Sequence, residues 1–502
     1  MARKGKVLFI VHDMYRNDNE LHLGPPYLAA LLKKAGHNVE VFSQDVFHQT
    51  NEELAQYLQE NKYDAIGVGF LAATYQRTVK PLLKVINTNK RGAKVILGGQ
   101  GVSAVPEFIL KETRADIGFL GEGENVILPL MDKVLRGASL NNQKGIAFRE
   151  GDNVQINSRQ KPVEHLSELP LPQWDLFPMK EYASQYSFIG AEENDRNMSV
   201  ISSRGCVGEC TFCYRIEPSI RKRKVDDVMN ELKELNTKYG INYITFQDEL
   251  FVASKKRVHD LTTGINKLGF PIKYYCQSRV ELAKDKGILE ELVGSGCQFV
   301  NLGLESFDQN VLDLMNKKTS VRDNYLAVEN IINAGIHPGL NVMWGCPGDS
   351  VKSIEDIVKF LIDYDTQGQL RTVRPVTPYP GCPLYYTAIS EGKLKGPADF
   401  FNRFGNPERM TVNFTKLPDK VFYETLLSAN EKLIDNYYKK ISDNENRVKA
   451  ASKAEAAKAK AANKLEAAKV KDGFKRLYFP TCQEDLNMPD PRHYEAEKQL
   501  NE

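Results

Sequence analysis

Three cysteines crowd into one short stretch of this 502-residue chain, at Cys206, Cys210 and Cys213 in SRGCVGECTFCY. Cysteine thiolates are the usual ligands of iron–sulfur clusters, and three of them on one loop bind three irons of a [4Fe–4S] cluster, leaving the fourth iron open. A structural zinc site needs a fourth ligand, and the nearest histidine, His165, is distant in the sequence. The C-x3-C-x2-C spacing therefore predicts one cluster with an open iron.

The other five of the eight cysteines are widely spaced, and we expect free, buried thiols at these positions. A second cluster would need three or four of them to converge at one place. So few cysteines also argue against a secreted disulfide scaffold. The five are Cys276, Cys297, Cys346, Cys382 and Cys482.

Composition places the chain among ordinary globular proteins of about three domains. Apolar residues make up 42%, and 67 Lys and Arg nearly balance 65 Asp and Glu, which gives a net charge of +2. That balance argues against bulk electrostatic binding of nucleic acid. No apolar run approaches the length of about 20 residues that a membrane-spanning helix needs. The short apolar run near the N-terminus, VLFIV, predicts a first strand and not a signal peptide.

The first 140 residues alternate between short apolar runs and amphipathic stretches of helix length. This rhythm predicts an α/β fold with a doubly wound, Rossmann-like parallel sheet. Ligands of such sheets bind beyond the carboxyl ends of the strands. The residues at those ends include Met14, Leu71, Thr74, Gly98, Gly99, Gln100, Gly121, Glu122, Gly123 and Glu124.

Residues 141–195 predict a connector with a hairpin and a proline-punctuated stretch. Residues 196–390 contain six further strand–helix units, which predict a partial (β/α)6 barrel with its chemistry at the strand carboxyl ends. Residues 391–502 predict a mostly helical region. It includes a long helix from about residue 417 and an Ala/Lys-rich helix at 449–471.

The cysteine loop resembles that of the radical S-adenosylmethionine (SAM) superfamily, because CVGECTFC matches the CxxxCxxC motif and follows the first barrel strand. The resemblance implies that SAM binds the open iron and is cleaved by one electron to a radical that abstracts a substrate hydrogen. It also implies a SAM-binding set at the ends of the barrel strands. That set is Phe212, Asp248, Glu249, Gln277, Arg279 and Glu305.

The N-terminal sheet, placed before such a barrel, resembles the cobalamin-binding domain of B12-dependent radical SAM enzymes. The matching stretches are Leu23–Ala30, Leu97–Gly101 and Gly121–Glu124. The strand-end residues given above then become the predicted cobalamin-binding set. The Asp-x-His-x-x-Gly motif of other cobalamin domains does not occur, which predicts cobalamin without a histidine ligand on its lower face. By their physics alone, the glycines would also suit a different nucleotide.

The leading functional hypothesis is methylation of an unactivated carbon or phosphorus centre of a small molecule. The alternative is a radical rearrangement or oxidative cyclisation without methyl transfer, as in the anaerobic magnesium-protoporphyrin ester cyclase. A non-enzymatic cobalamin sensor and a nucleic-acid-modifying enzyme rank below both. The cofactors imply an electron donor such as flavodoxin or ferredoxin. An exposed, low-potential cluster implies an oxygen-poor cytoplasm.

Overall fold

The computed structural model describes residues 3–14, 21–184, 189–215, 219–364, 370–404 and 412–449. Within these ranges the chain forms two sheets with helices packed on them. The strands are β1 (Lys6–Val11), β2 (Asn38–Ser43), β3 (Ala65–Gly69), β4 (Lys94–Gly98), β5 (Ile117–Phe119), β6 (Ile146–Glu150), β7 (Asn153–Ile156), β8 (Asn197–Val200), β9 (Ser203–Arg204), β10 (Arg221–Lys222), β11 (Tyr243–Phe246), β12 (Lys273–Ser278), β13 (Cys297–Glu305), β14 (His337–Trp344) and β15 (Arg374–Pro375).

The helices lie mostly between consecutive strands, as the alternating pattern predicts. They are α1 (Gly24–Lys34), α2 (Gln44–Phe47), α3 (Asn51–Glu60), α4 (Lys80–Asn89), α5 (Gln100–Ser103), α6 (Pro106–Thr113), α7 (Glu124–Arg136), α8 (Met179–Ser184), α9 (Val225–Tyr239), α10 (Lys255–Asn266), α11 (Val280–Ala283), α12 (Lys286–Gly294), α13 (Gln309–Leu314), α14 (Val321–Asn333), α15 (Val351–Asp363), α16 (Pro383–Ser390), α17 (Pro397–Arg403) and α18 (Asp419–Lys449).

The first sheet has the order β2-β1-β3-β4-β5-β6-β7, and its first five strands are parallel. Alternate residues of β1 enter different cores. Val7 and Phe9 pack with helices α1 and α7, whereas Leu8 and Ile10 pack with α3, α4 and α6 on the opposite face. Burial on both faces explains why these strands are almost continuously apolar. The predicted doubly wound sheet is confirmed.

The hairpin of β6 and β7 extends the first sheet, so that sheet runs through Ile156, beyond the expected boundary at residue 140. Strand β6 is antiparallel to β5, with Ile117 opposite Phe148. Ile146, Ala147 and Phe148 are buried, and this apolar run gives the hairpin its reason to join the sheet. The hairpin that the sequence places in the connector is therefore part of the first sheet.

The second sheet is parallel throughout, in the order β15-β14-β13-β12-β11-β8. Because β8 and β15 are edge strands that do not pair with each other, the sheet forms a partial barrel. Helices α9, α10, α12, α14 and α15 cover its outer face over one large apolar core. The predicted six-unit partial barrel is confirmed.

The C-terminal region packs on both sheets. Phe401 of α17 lies against Tyr75 of the first domain, with ring centroids 4.6 Å apart. Phe422 of α18 stacks on Trp344 of the barrel at 4.4 Å. The predicted long helix is α18, and the Ala/Lys-rich stretch lies outside the described residues. In the part of the chain that is described, no helix is long and apolar enough to cross a membrane.

Candidate active site

The cysteine loop leaves the barrel after β8 and runs between the short strands β9 and β10. Asp248, at the end of β11, fixes its first residues: its carboxylate accepts hydrogen bonds from the Ser202 N–H, the Ser202 hydroxyl and the Ser203 hydroxyl, each at 2.6 Å. Farther along, the Thr211 N–H donates to the Met315 carbonyl at 2.9 Å. The loop is therefore anchored to the barrel on both sides.

The three thiols are all free, as cluster ligation requires. Cys210 is buried, Cys206 is half-buried, and Cys213 is exposed. The Gly208 N–H points at the Cys206 sulfur at 3.3 Å, and Arg279 Nη1 lies 3.9 Å from the Cys210 sulfur. Among the described residues, no group of three or more His, Cys, Asp or Glu side chains surrounds a single-ion position.

The surroundings of Cys210 favour its thiolate. A hydrogen bond with Cys213 and the positive charges of Lys317 and Arg279 lower the pKa of Cys210 to about 6, although burial opposes them. Sharing that hydrogen bond raises the pKa of the Cys213 thiol, which keeps the remaining proton. Three reduced thiols, one of them poised as a thiolate, fit the donor set of an iron–sulfur cluster.

Beside the thiols, the structure gathers four of the relevant side chains into one group. Glu305 is buried with a φ of 64° and accepts a hydrogen bond from Lys317 Nζ at 2.7 Å. Lys317 also lies over the Phe212 ring, 6.0 Å from its centroid, and its carbonyl accepts from Arg279 Nη2 at 2.5 Å. Phe212, Arg279 and Glu305 thus lie together around Lys317, and binding of SAM by them stays a prediction.

Sequence reasoning missed Lys317, whose ammonium is the most buried positive charge beside the thiols. Burial alone would lower its pKa, but Glu305 and the Cys210 thiolate together raise the pKa of Lys317. Gly303 makes room for this pair, because a Cβ there would lie 2.4 Å from Glu305 Oε1 and 2.8 Å from Lys317 Nζ. The sequence signal was a pair of lysines, Lys317 and Lys318, in the loop between α13 and α14, away from the strand ends.

The other predicted SAM-binding residues, Asp248, Glu249 and Gln277, differ in burial and in whether their side chains already form hydrogen bonds. Asp248 is fully buried, and both of its oxygens are used by Ser202 and Ser203, so the structure gives it a role in holding the loop. Glu249 lies next to the Gly205 N–H, and desolvation raises the pKa of its carboxyl. Gln277 is half-buried on the barrel strand that leads to Arg279.

At the carboxyl edge of the first sheet, the described side chains leave space. Gly69 and Gly98 are register partners at the ends of β3 and β4. A Cβ on Gly69 would meet nothing within 4 Å, and one on Gly98 would touch only the Phe119 ring at 3.9 Å. Leu71, next to them, is 46% exposed. An apolar, side-chain-free edge of this kind suits a large flat ligand such as the corrin ring of cobalamin.

The other predicted cobalamin residues line the same edge. Gly99 has a φ of 91°, and a Cβ there would lie 2.4 Å from the Phe70 carbonyl, so only glycine fits this turn. The Thr74 hydroxyl donates to the Leu71 carbonyl at 3.0 Å. Met14 and Gln100 are half-buried, as is Gly121, while Gly123 is buried.

The carboxylates of Glu122 and Glu124 form ion pairs in the structure. Both carboxylates are paired with arginines of the barrel: Glu122 with Arg221 at 2.5 Å, and Glu124 with Arg204 at 2.7 Å. Their side chains link the segment after β5 to the β9–β10 pair. Contact of cobalamin with Glu122 and Glu124 stays a prediction.

The described cysteines outside the loop are buried. Cys276 and Cys297 lie in the barrel core with their sulfurs 3.9 Å apart, and Cys346 and Cys382 lie in another apolar cluster. Burial raises the pKa of Cys276, Cys346 and Cys382, which keeps them as thiols. Cys482 lies outside the described residues.

Two family matches coincide with the two halves of this site. Residues 19–130 match the B12 binding domain, and residues 200–361 match the radical SAM superfamily. The fold and the site together define an enzyme with a cobalamin-binding sheet followed by a radical SAM barrel. The chain therefore carries a B12-binding domain followed by a radical SAM domain, and these two domains imply the predicted cofactors: a [4Fe–4S] cluster, SAM and cobalamin.

Curated relatives share modest sequence identity with the chain over most of its length. It is 28% identical to an uncharacterized methyltransferase of Pyrococcus horikoshii over 74% of this chain and 79% of that protein. It is 25% identical to the cytidylyl-2-hydroxyethylphosphonate methyltransferase of Streptomyces wedmorensis over 68% and 73%. It is 26% identical to the anaerobic magnesium-protoporphyrin IX monomethyl ester cyclase of Cereibacter sphaeroides, over 75% of this chain but only 63% of the cyclase.

Solved structures share the fold. The radical SAM methyltransferase TsrM of Kitasatospora setae, with cobalamin and a [4Fe–4S] cluster bound, superposes with a TM-score of 0.61 at 17% identity, covering 78% of this chain and 75% of TsrM. The cobalamin-dependent radical SAM enzyme OxsB, with aqua-cobalamin and SAM bound, gives 0.62 at 18% identity, covering 82% and 60%. These likenesses concern the fold.

Proposed function

We propose that this chain is a methyltransferase that methylates an unactivated carbon or phosphorus centre of a small-molecule substrate. The observation that carries the proposal is the direct contact between the cysteine loop and the segment after β5, at the edge where cobalamin is predicted to bind. Arg204 lies two residues before Cys206 and pairs with Glu124, on the turn that follows β5 of the first sheet. The relatives from Pyrococcus and Streptomyces, both named as methyltransferases, support this reading.

The cysteine loop would hold the cluster through Cys206, Cys210 and Cys213. When bound, the reduced cluster and SAM supply a carbon-centred radical, and cobalamin supplies a carrier for the methyl group. Lys317 and Arg279 place two positive charges beside Cys210. These charges stabilise the thiolate that the cluster needs and offset the negative charge of three thiolates on one loop.

The group beside the cluster would bind SAM. Arg279 is held in place by Glu281, with Nη2 2.7 Å from Oε1, and its guanidinium is suited to pair with the SAM carboxylate. Glu305 would accept from the SAM amino group or ribose, and Phe212 would pack against the adenine. Gln277 and Glu249 complete the proposed set on the same side of the barrel. Asp248 would act indirectly, by fixing the start of the loop.

The carboxyl edge of the first sheet would bind cobalamin. Gly69 and Gly98 leave room for the ring, Leu71 offers apolar contact, and the backbone at Gly99 and Gly121 can approach the ligand closely. Helix α7, which begins at Glu124 just after β5, would direct the backbone N–H groups of its first turn toward the nucleotide tail.

A second candidate is radical rearrangement or oxidative cyclisation without methyl transfer. It is favoured by the similarity to the magnesium-protoporphyrin ester cyclase, whose matching region also spans both domains. The residues proposed to hold cofactors would serve either reaction, so the candidates differ in the fate of the SAM methyl group.

The fate of SAM tests the proposal. The anaerobically reconstituted chain is incubated with dithionite, SAM and hydroxocobalamin, and both SAM products are quantified by mass spectrometry. Methyl removal yields S-adenosylhomocysteine, and radical formation yields 5′-deoxyadenosine. We expect S-adenosylhomocysteine that depends on added cobalamin. If 5′-deoxyadenosine forms but S-adenosylhomocysteine does not, methyl transfer is refuted and the second candidate stands.

We further propose that flavodoxin or ferredoxin reduces the cluster in an oxygen-poor cytoplasm. Support comes from the exposure of Cys213 and of Val207, which is 61% exposed, on the outer side of the loop. Nucleic acid is not part of the proposed reaction, because the overall charge is close to neutral.

A further inference from the structure

Four charged side chains join the two cofactor-binding domains at the cysteine loop. Arg221 donates to both oxygens of Glu122, at 2.9 and 2.5 Å, in a bidentate pair. Arg204 donates to Glu124 at 2.7 Å and lies 3.4 Å from Glu122. Two glutamates from the turn of the first sheet thus bind two arginines from the β9–β10 hairpin, and we call these four residues the interdomain clamp.

The clamp is largely shielded from water. Side-chain exposure is 18% for Arg204, 9% for Arg221, 11% for Glu122 and 6% for Glu124. Burial alone would raise the pKa of Glu122, but its hydrogen bond with Arg221 and the charge of Arg204 lower it. Arg204 also lies over the ring of buried Tyr27, 5.2 Å from the centroid. A buried, bidentate network of this kind fixes geometry far better than an exposed ion pair.

The clamp acts on the same segment that carries the cluster ligands. Arg204 and Arg221 are directly opposite each other in the β9–β10 pair, and Cys206 follows two residues after Arg204. On the other side, Asp248 holds Ser202 and Ser203. The start of the loop is therefore held between a barrel strand and the turn that lies at the predicted cobalamin edge.

We propose that Glu122, Glu124, Arg204 and Arg221 are positioning residues that fix the cobalamin edge relative to the cluster. Reactions between bound groups are sensitive to misplacement on the scale of 1 Å, so a rigid link at this place has a direct function. The inference needs both cofactors to bind, but it does not depend on methyl transfer. Failure of the proposed function would therefore leave it standing.

The test is a distance measurement on the loaded protein. Dithionite reduces the reconstituted enzyme so that the cluster and the cobalt are both paramagnetic, and pulsed EPR reports their dipolar coupling. We expect a single narrow coupling in the unaltered chain and a broad distribution in Glu122→Gln and Arg221→Met. The double charge swap of Glu122→Arg with Arg221→Glu should narrow the distribution again, because it restores an opposite-charge pair.

A matched control separates positioning from general loss of stability. Asp116→Asn removes a similarly buried ion pair with Lys90, at 2.7 Å, that lies within the first domain. This variant should keep the narrow coupling even where its thermal midpoint falls. An unchanged coupling in Glu122→Gln, or equal broadening in Asp116→Asn, would overturn the proposal. If a single variant loses a cofactor, the charge swap decides: a narrow coupling supports the clamp and a broad one refutes it.

Discussion

The two cofactor surfaces of this enzyme are built in opposite ways. At the cysteine loop, the groups proposed to bind are reactive side chains: three thiols with Arg279 and Lys317 beside them. At the edge of the first sheet, the useful feature is space, left where Gly69 and Gly98 have no side chain. The first surface is therefore defined by chemistry and the second by shape, and the two should respond differently to substitution.

The substitution with the largest expected effect at the cysteine loop is Cys210→Ala. It should abolish the visible absorbance of the cluster and all reductive cleavage of SAM, because one iron loses its ligand. Iron content, the absorbance spectrum and 5′-deoxyadenosine are measured together. Cys346→Ala is the control, since that thiol is buried away from the loop, and it should keep its iron. A cluster that persists in Cys210→Ala would contradict the ligand assignment.

A second large effect is expected from Lys317→Met. Removing one member of a buried ion pair costs about 3–5 kcal/mol, because the Glu305 carboxylate is left without its partner. The free energy of unfolding should fall accordingly, and SAM should bind more weakly in calorimetric titration. In the double variant with Glu305→Gln, much of the stability should return while SAM affinity stays low. Recovery of both would show that Lys317 and Glu305 are only structural.

A shape-based surface predicts a different pattern for Gly69→Leu. A side chain there would enter open space, so folding should be nearly unchanged, but the corrin ring would meet new atoms. Cobalamin affinity should fall by about ten-fold or more, which corresponds to roughly 1.4 kcal/mol. Gly92→Ala serves as a control that also meets no neighbouring atom, although its φ of 88° adds backbone strain. Unchanged cobalamin affinity in Gly69→Leu would show that the corrin ring does not bind at this edge.

The smallest expected effect concerns the pKa of Cys210, which reports the electrostatics of the loop. In the metal-free protein, alkylation of Cys210 should be half-maximal near pH 6, because its pKa is lowered to about 6 from the usual 9. A depressed pKa stabilises the fold above the unfolded value, and this contribution is lost as the pH falls through 6. Arg279→Met should move the alkylation midpoint upward. Mass spectrometry of labelled peptides gives the midpoint pH of alkylation for each thiol. A midpoint near 9 for Cys210 in the unaltered chain would contradict the lowered pKa.

Sequence predicted the chemical surface better than the shape-based one. The spacing of Cys206, Cys210 and Cys213 carries its own chemistry, whereas glycines suit many ligands and Gly69 went unnoticed. Lys317 was not predicted because it lies in the loop after α13, away from the strand ends, and only folding brings it to its partner Glu305. The pairing of Glu122 with Arg221, 99 residues away, was not predicted because it has no local signature in the sequence.

The strand and helix pattern was readable because burial on two faces leaves continuous apolar runs. The domain boundary was harder to predict from the sequence. The hairpin of β6 and β7 was predicted as a hairpin within the connector, and only its pairing with β5 shows that it belongs to the first sheet. Long-range pairing of this kind depends on the whole fold and leaves little trace in a local segment.

The central claim is that cobalamin and the cluster occupy one site formed by both domains. Anomalous diffraction at the iron and cobalt edges, from crystals grown with both cofactors and SAM, tests it directly. The account predicts an iron peak within bonding distance of the Cys206, Cys210 and Cys213 sulfurs and a cobalt peak over Gly69 and Gly98, facing that cluster. A cobalt peak elsewhere on the molecule, or iron away from these three sulfurs, would contradict the account.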